Sequence, residues 1–130
     1  MDLHEIADYW HKLSKEDFST ADTLFRSGKF VPAMFFTHLA LEKMLKYLYV
    51  RWNSTEAPHP HNLLAIAGKI GCPEMNPEKL KVLAGFSAFN ITARYDDYKL
   101  SFHQVCDREF AEKHLSLCKE LLQWLESLQK

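Results

Sequence analysis

The chain has 130 residues, 47% of them apolar, enough for one globular domain that buries roughly two-thirds of its unfolded surface. Its 16 Lys and Arg against 17 Asp and Glu leave a formal net charge of -1, which excludes the domain-wide basic field of strong non-specific nucleic-acid binders. No apolar run reaches the roughly 18 residues of a bilayer span, and the opening MDLHEIADYWHK has neither the basic nor the apolar region of a signal peptide. Cys72, Cys106 and Cys118 form no CxxC and no zinc pattern, which points to reduced thiols in a cytoplasmic protein.

Ile6, Trp10, Leu13, Phe18, Ala21, Leu24 and Phe25 recur near helical spacing and predict a first helix over about Leu3 to Arg26. Ser27-Gly28-Lys29 ends it, with Gly28 as the left-handed cap. The short link makes the next helix antiparallel. That helix, FVPAMFFTHLALEKMLKYLYVRW over Phe30 to Trp52, is apolar nearly all the way round. A surface helix has one apolar stripe, so this one calls for cover on several sides, in the centre of a bundle or against a second copy. Asn53 to Pro60 reads as a loop. A short helix then starts at His61 or Asn62 and closes at Gly71; another opens at Pro77 and loses register around Asn90 to Ala93. Arg94 to Phe102, RYDDYKLSF, is an ordered polar loop, and a last helix runs from about Gln104 or Asp107 to Leu128 on a stripe of Phe110, His114, Leu117, Leu121, Trp124 and Leu128. Nothing alternates with period two for long enough to be a strand. The expected class is all-α: an antiparallel up-and-down bundle of about five helices, three long and two short, in a single domain over residues 1–130.

The order of these segments carries a resemblance. Ala7 and Trp10 and then Ala21-Asp22 lie in the first helix, followed by the SGKF turn, HLALEKMLKYLYV, PHPHNLLAIAGKIG and ITARYDDY. Together they resemble the HEPN family, the higher eukaryote and prokaryote nucleotide-binding domains, over about Ala7 to Leu128. The resemblance implies a helical bundle that often dimerises and often accompanies a minimal nucleotidyltransferase, as a separate chain or a fused domain. Some members are metal-independent endoribonucleases, including toxins. That branch carries an Arg and, four to six residues on, a His in a stretch like RNxxxHxY. Aligned here, Phe89 falls in the Arg slot and Arg94 in the His slot. A guanidinium stays protonated and cannot take the proton that a His would. An Arg-x5-His pair at Arg108 and His114 lies inside the last helix, past the expected place.

Polar residues on so apolar a second helix need partners, because an unpaired buried charge costs several kcal/mol. His38, Glu42 and Lys46 lie at i, i+4 and i+8 on one side of it. A structural ion pair between Glu42 and Arg94 would tie the helix to the polar loop and floor a groove walled by Lys43, Lys46 and Tyr95. The expected ligand or partner contacts are Lys43, Lys46, Arg94, Tyr95 and Asp96: cations clamp phosphate and Tyr95 or Tyr98 stacks on a base. Equally, Arg94 to Tyr98 reads as a structural turn. His59 and His61 lack further metal ligands at a recognisable spacing, so no metal and no other cofactor is expected.

Two functions follow. The first is a non-catalytic HEPN-like module, homodimeric, that binds nucleotide, partners a nucleotidyltransferase chain, or both. The alternative is an endoribonuclease toxin with a divergent catalytic set, for which RNA is the substrate. No membrane contact is expected under either.

Overall fold

The computed structural model describes residues 2–59 and 62–129. Among the described residues there are seven helices: α1 (Leu3–Arg26), α2 (Phe30–Asn53), α3 (Leu63–Ile70), α4 (Pro77–Ser87), α5 (Phe89–Thr92), α6 (Ser101–Val105) and α7 (Arg108–Glu126). No strand occurs among the described residues. None of the helices is long and apolar enough to cross a membrane.

Local chemistry accounts for the boundaries. Helix N-termini leave backbone N–H groups unpaired, and short polar side chains satisfy them. Asp2 accepts from the Glu5 N–H, Asn62 from Leu64 and Ala65, Asn76 from Lys79, and Asp107 from Phe110. Gly28, at φ 78°, closes α1: its N–H reaches the Phe25 carbonyl while that of Lys29 reaches Leu24. Gly71 ends α3 in the same left-handed conformation, at φ 82°. His61, an expected starter of α3, lies outside the described residues.

Helix α2 is the axis of the bundle. Each of α1, α3, α4, α5 and α7 packs on it, and Met34, Leu41, Leu45 and Leu48 are fully buried. The chain's own helices bury most of α2, while Phe35, Phe36 and Leu39 stay half-buried. Ala21, Ala33 and Ala40 are fully buried, and small residues let α1 and α2 come close enough for Ser14 Oγ to donate to the Ala40 carbonyl at 2.7 Å. Helix α7 runs antiparallel to α1 and parallel to α2. Arg108 at its start covers the rings of Phe25 and Phe30, whereas Glu126 at its end meets His11, and Trp52 donates to the Leu128 carbonyl. Because α1 and α7 touch α2 more than each other, a groove of about 400 Å³ opens between them, floored by Phe18, Met44 and Leu122.

Two elements differ from expectation. The helix expected from Pro77 to Ala93 divides at Ala88, the single residue between α4 and α5. The polar loop ends in an additional turn, α6. Its start lies on Asp97, which accepts from the N–H groups of Lys99 and Ser101. Such a cap is invisible to hydrophobic periodicity.

The three thiols are free and buried. Burial pushes each above its ordinary value, with the neighbouring Asp107 carboxylate adding to the effect at Cys106, which reaches about 11.

Candidate functional site

The expected site residues separate into two places. On α2, Lys46 Nζ donates to Glu42 Oε2 at 3.0 Å, and His38 Nε2 stands 3.8 Å from the other carboxylate oxygen. All three residues are buried. The Lys46 ammonium also lies 4.8 Å from the centroid of the Trp10 ring on α1, a cation–π contact strengthened by the loss of water around it. Lys46 forms the inner wall of a cleft of about 290 Å³, with Tyr9, Trp10 and Pro58 around it. Lys43 points elsewhere, donating to Asp17 across the α1–α2 contact.

The second place is the stretch between α5 and α7. Arg94 Nε donates to the Asn90 carbonyl at 2.9 Å, and its guanidinium carbon lies 5.1 Å from the ring centroids of both Phe35 and Tyr95. The expected Glu42–Arg94 ion pair does not form among the described residues. Arg94 meets α2 at Phe35, two turns and about 10 Å before Glu42. Glu42 instead holds Lys46, one turn along the same helix, a pairing that i,i+4 spacing favours. The groove expected around that pair is consequently absent as drawn: Lys43 and Lys46 already have carboxylate partners, and Arg94 and Tyr95 stand apart from them at the surface.

Asp96 organises the second place from inside. Its side chain is only 8% exposed and accepts from the backbone N–H groups of Asp97, Phe102 and His103 and from His103 Nδ1 at 2.7 Å. Burial disfavours its charge, but the His103 ring and those three N–H groups outweigh burial and hold the carboxyl at about 2. Asp97 is likewise held below its ordinary value, foremost by the Ser101 N–H. Asp96 is thus a bracket rather than an exposed ligand. His103 was invisible to the sequence reading, since its partner lies seven residues back across a turn. Trp10 and Asp17 were missed too, because a cation–π contact and an interhelical pair leave no local spacing.

The positions aligned with the ribonuclease motif are occupied by packing. Phe89 is buried, edge-on to Phe86 and 5.7 Å from Phe102. The other pair does not converge. Arg108 lies over Phe25 and Phe30, whereas His114 donates from Nδ1 to the Phe110 carbonyl and stacks on that ring at 4.1 Å. Six residues along a helix turn the two side chains well apart. Among the described residues, no group of three or more His, Cys, Asp or Glu side chains converges as a metal site.

An all-α bundle with a charged ladder on its enclosed central helix and a capped polar bend before its last helix defines the class. The family model of the HEPN domain matches residues 7–128, and the chain belongs to the HEPN family. No curated protein and no solved structure matches it significantly.

Proposed function

We propose that this HEPN domain is a non-catalytic binding module of the cytoplasm, homodimeric, which partners a minimal nucleotidyltransferase chain and takes a nucleotide in the cleft beside Lys46. The observation that carries the reading is the core position of Phe89. The ribonuclease branch needs a guanidinium there, and a phenyl ring packed among Phe86, Phe102 and Phe110 offers neither charge nor proton. Arg94, in the histidine slot, carries a guanidinium, a group that donates hydrogen bonds but cannot serve as a base. Tyr9, 47% exposed, supplies a ring at the mouth of the cleft on which a base stacks. Arg94 and Tyr95 are the partner contacts, while Lys43, Lys46 and Asp96 hold the shape of the sites. A second copy seats in the apolar groove between α1 and α7.

Sedimentation equilibrium, a nucleotide thermal-shift panel and co-expression with a minimal nucleotidyltransferase test this reading. A dimer mass, a rise in Tm with ATP that Tyr9→Ala abolishes, and co-purification of the two chains are expected. A monomer that neither responds to nucleotide nor retains the second chain overturns it. Growth arrest and RNA cleavage, both removed by His114→Ala, would establish the toxin instead.

A further inference from the structure

The fold engages only one edge of the His103 ring. A carboxylate accepts and does not donate, so Nδ1 gives its hydrogen to Asp96, at 2.7 Å. Nε2 is left as the ring's free nitrogen, with no partner among the described residues. A carboxylate behind an imidazole fixes both tautomer and ring orientation, which is how proteins hold a histidine toward a ligand. The support is rigid, since Asp96 also accepts from the backbone N–H groups of Asp97, Phe102 and His103. The His103 side chain itself is 49% exposed.

His103 lines a cleft of about 360 Å³ between the α1–α2 turn and α6. Lys29 lines it as well, an exposed ammonium with no ion pair among the described residues. Phe30, Val31 and Pro32 give the cleft an apolar wall. No side chain caps that first turn of α2, so its opening N–H groups are further donors. No carboxylate lines the cleft. Asp97 and Asp107 are exposed nearby, but Asp97 accepts from the Lys99 and Ser101 N–H groups and Asp107 from that of Phe110.

We propose that this cleft binds a small molecule in which an oxyanion, phosphate or carboxylate, is joined to an apolar body. The oxyanion seats on His103 Nε2 and Lys29 Nζ, and the body lies along Phe30, Val31 and Pro32. A ring carrying both protons gives one to Asp96 and the other to the ligand, and hydrogen bonds between charged groups are the strong ones. A metal ion fits poorly. Among the described residues no three ligands converge, Lys29 repels a cation, and burial with the Asp107 carboxylate holds the Cys106 thiol up at about 11, so it offers no thiolate. The site is separate from the nucleotide cleft: Lys29 precedes Lys46 by about five turns of helix, or about 25 Å.

The test titrates the isotope-labelled full chain with phenyl phosphate, benzoate, inorganic phosphate, phenyltrimethylammonium and oligouridylate. NMR follows the His103 ring nitrogens and the Lys29, Phe30 and Val31 amides. Phenyl phosphate or benzoate should shift them saturably, and the tighter of the two names the head group. Inorganic phosphate, lacking the apolar contact, should bind about fivefold more weakly than phenyl phosphate, and phenyltrimethylammonium should not bind. Lys29→Met and His103→Gln should each weaken binding about fivefold or more. Lys29 is exposed, so its variant keeps the fold and decides the matter even where His103→Gln loosens the bend. Any response to ATP that the parent chain shows should survive both substitutions, so this site and the nucleotide cleft fail separately. Shifts that do not saturate, equal response to phenyltrimethylammonium, or unchanged affinity in Lys29→Met overturns the proposal. Tighter binding of oligouridylate than of phenyl phosphate also overturns it and assigns the cleft to RNA.

Discussion

His103 donates its Nδ1–H to a carboxylate oxygen of Asp96 at 2.7 Å while its own backbone N–H reaches the same oxygen at 2.9 Å. One residue thus closes a ring on the carboxylate and fixes the approach to α6. Asp96 titrates at about 2 in the fold, against an ordinary aspartate value of about 3.9. A depressed value means that the charged form is favoured by folding. Its contribution is complete above the ordinary value and is lost as pH falls from about 4 through about 2. Hydrogen exchange at the Phe102 and His103 amides should accelerate over that window. Asp96→Asn should show fast exchange at every pH, with no step; an unchanged step would assign it to another carboxyl.

Lys46 and Glu42 form a pair whose side chains are 7 and 4% exposed. Removing one partner of such a pair leaves a buried charge. Lys46→Met should cost about 3 kcal/mol or more in urea unfolding, and Glu42→Leu a similar amount. The double variant should recover most of the loss, because apolar side chains then fill the same space. Additive losses in the cycle would show that the two charges act independently.

At the far end of the bundle, His11 Nε2 stands 2.7 and 2.8 Å from the two carboxylate oxygens of Glu126, and the imidazole rests 4.5 Å from the Tyr47 ring. The contact joins α1 to the end of α7. Glu126→Gln should lower stability by about 1 kcal/mol. High salt should shrink the difference, since the Glu126 side chain is 35% exposed. A loss that ignores salt would mark packing rather than charge as its cause.

Leu100 offers the opposite sign. Asn tolerates the left-handed region far better than Leu, so Leu100→Asn, at φ 54°, should raise stability by about 1 kcal/mol in urea unfolding. A loss of stability instead would show that the Leu100 side chain packs well enough to offset its backbone strain.

Most of the architecture could be read from periodicity and caps. The start and end of α1, the Gly28 turn and the extent of α2 follow from apolar spacing and from one glycine, which are local signals. The same spacing showed that α2 must be enclosed, yet it could not say by what. Short links and stripes on α1 and α7 produce most of the cover within one chain and leave Phe35, Phe36 and Leu39 half-buried. The Glu42–Arg94 pair was misread because opposite charge in a dry setting was matched without distance: Lys46 is one helical turn away, and Arg94 belongs to Phe35. Helix α6 and the Asp96–His103 ring were hidden because side-chain caps across a turn have no repeat. The character of 91–105 was half legible. Its polarity was plain, but the inward aim of Asp96, whose side chain is 8% exposed, depends on the turn itself.

Burial at Cys72, Cys106 and Cys118 makes them built-in clocks. A modifying reagent requires both access and thiolate, and the fold withholds each. Labelling therefore waits for motion. Modification of Cys118, sealed between α7 and the Thr37 carbonyl, would time the opening of the whole domain. Cys106, beside the cap of α7, would time the parting of the α6–α7 joint alone. Two chemical rates from one unlabelled chain would separate local breathing from global unfolding.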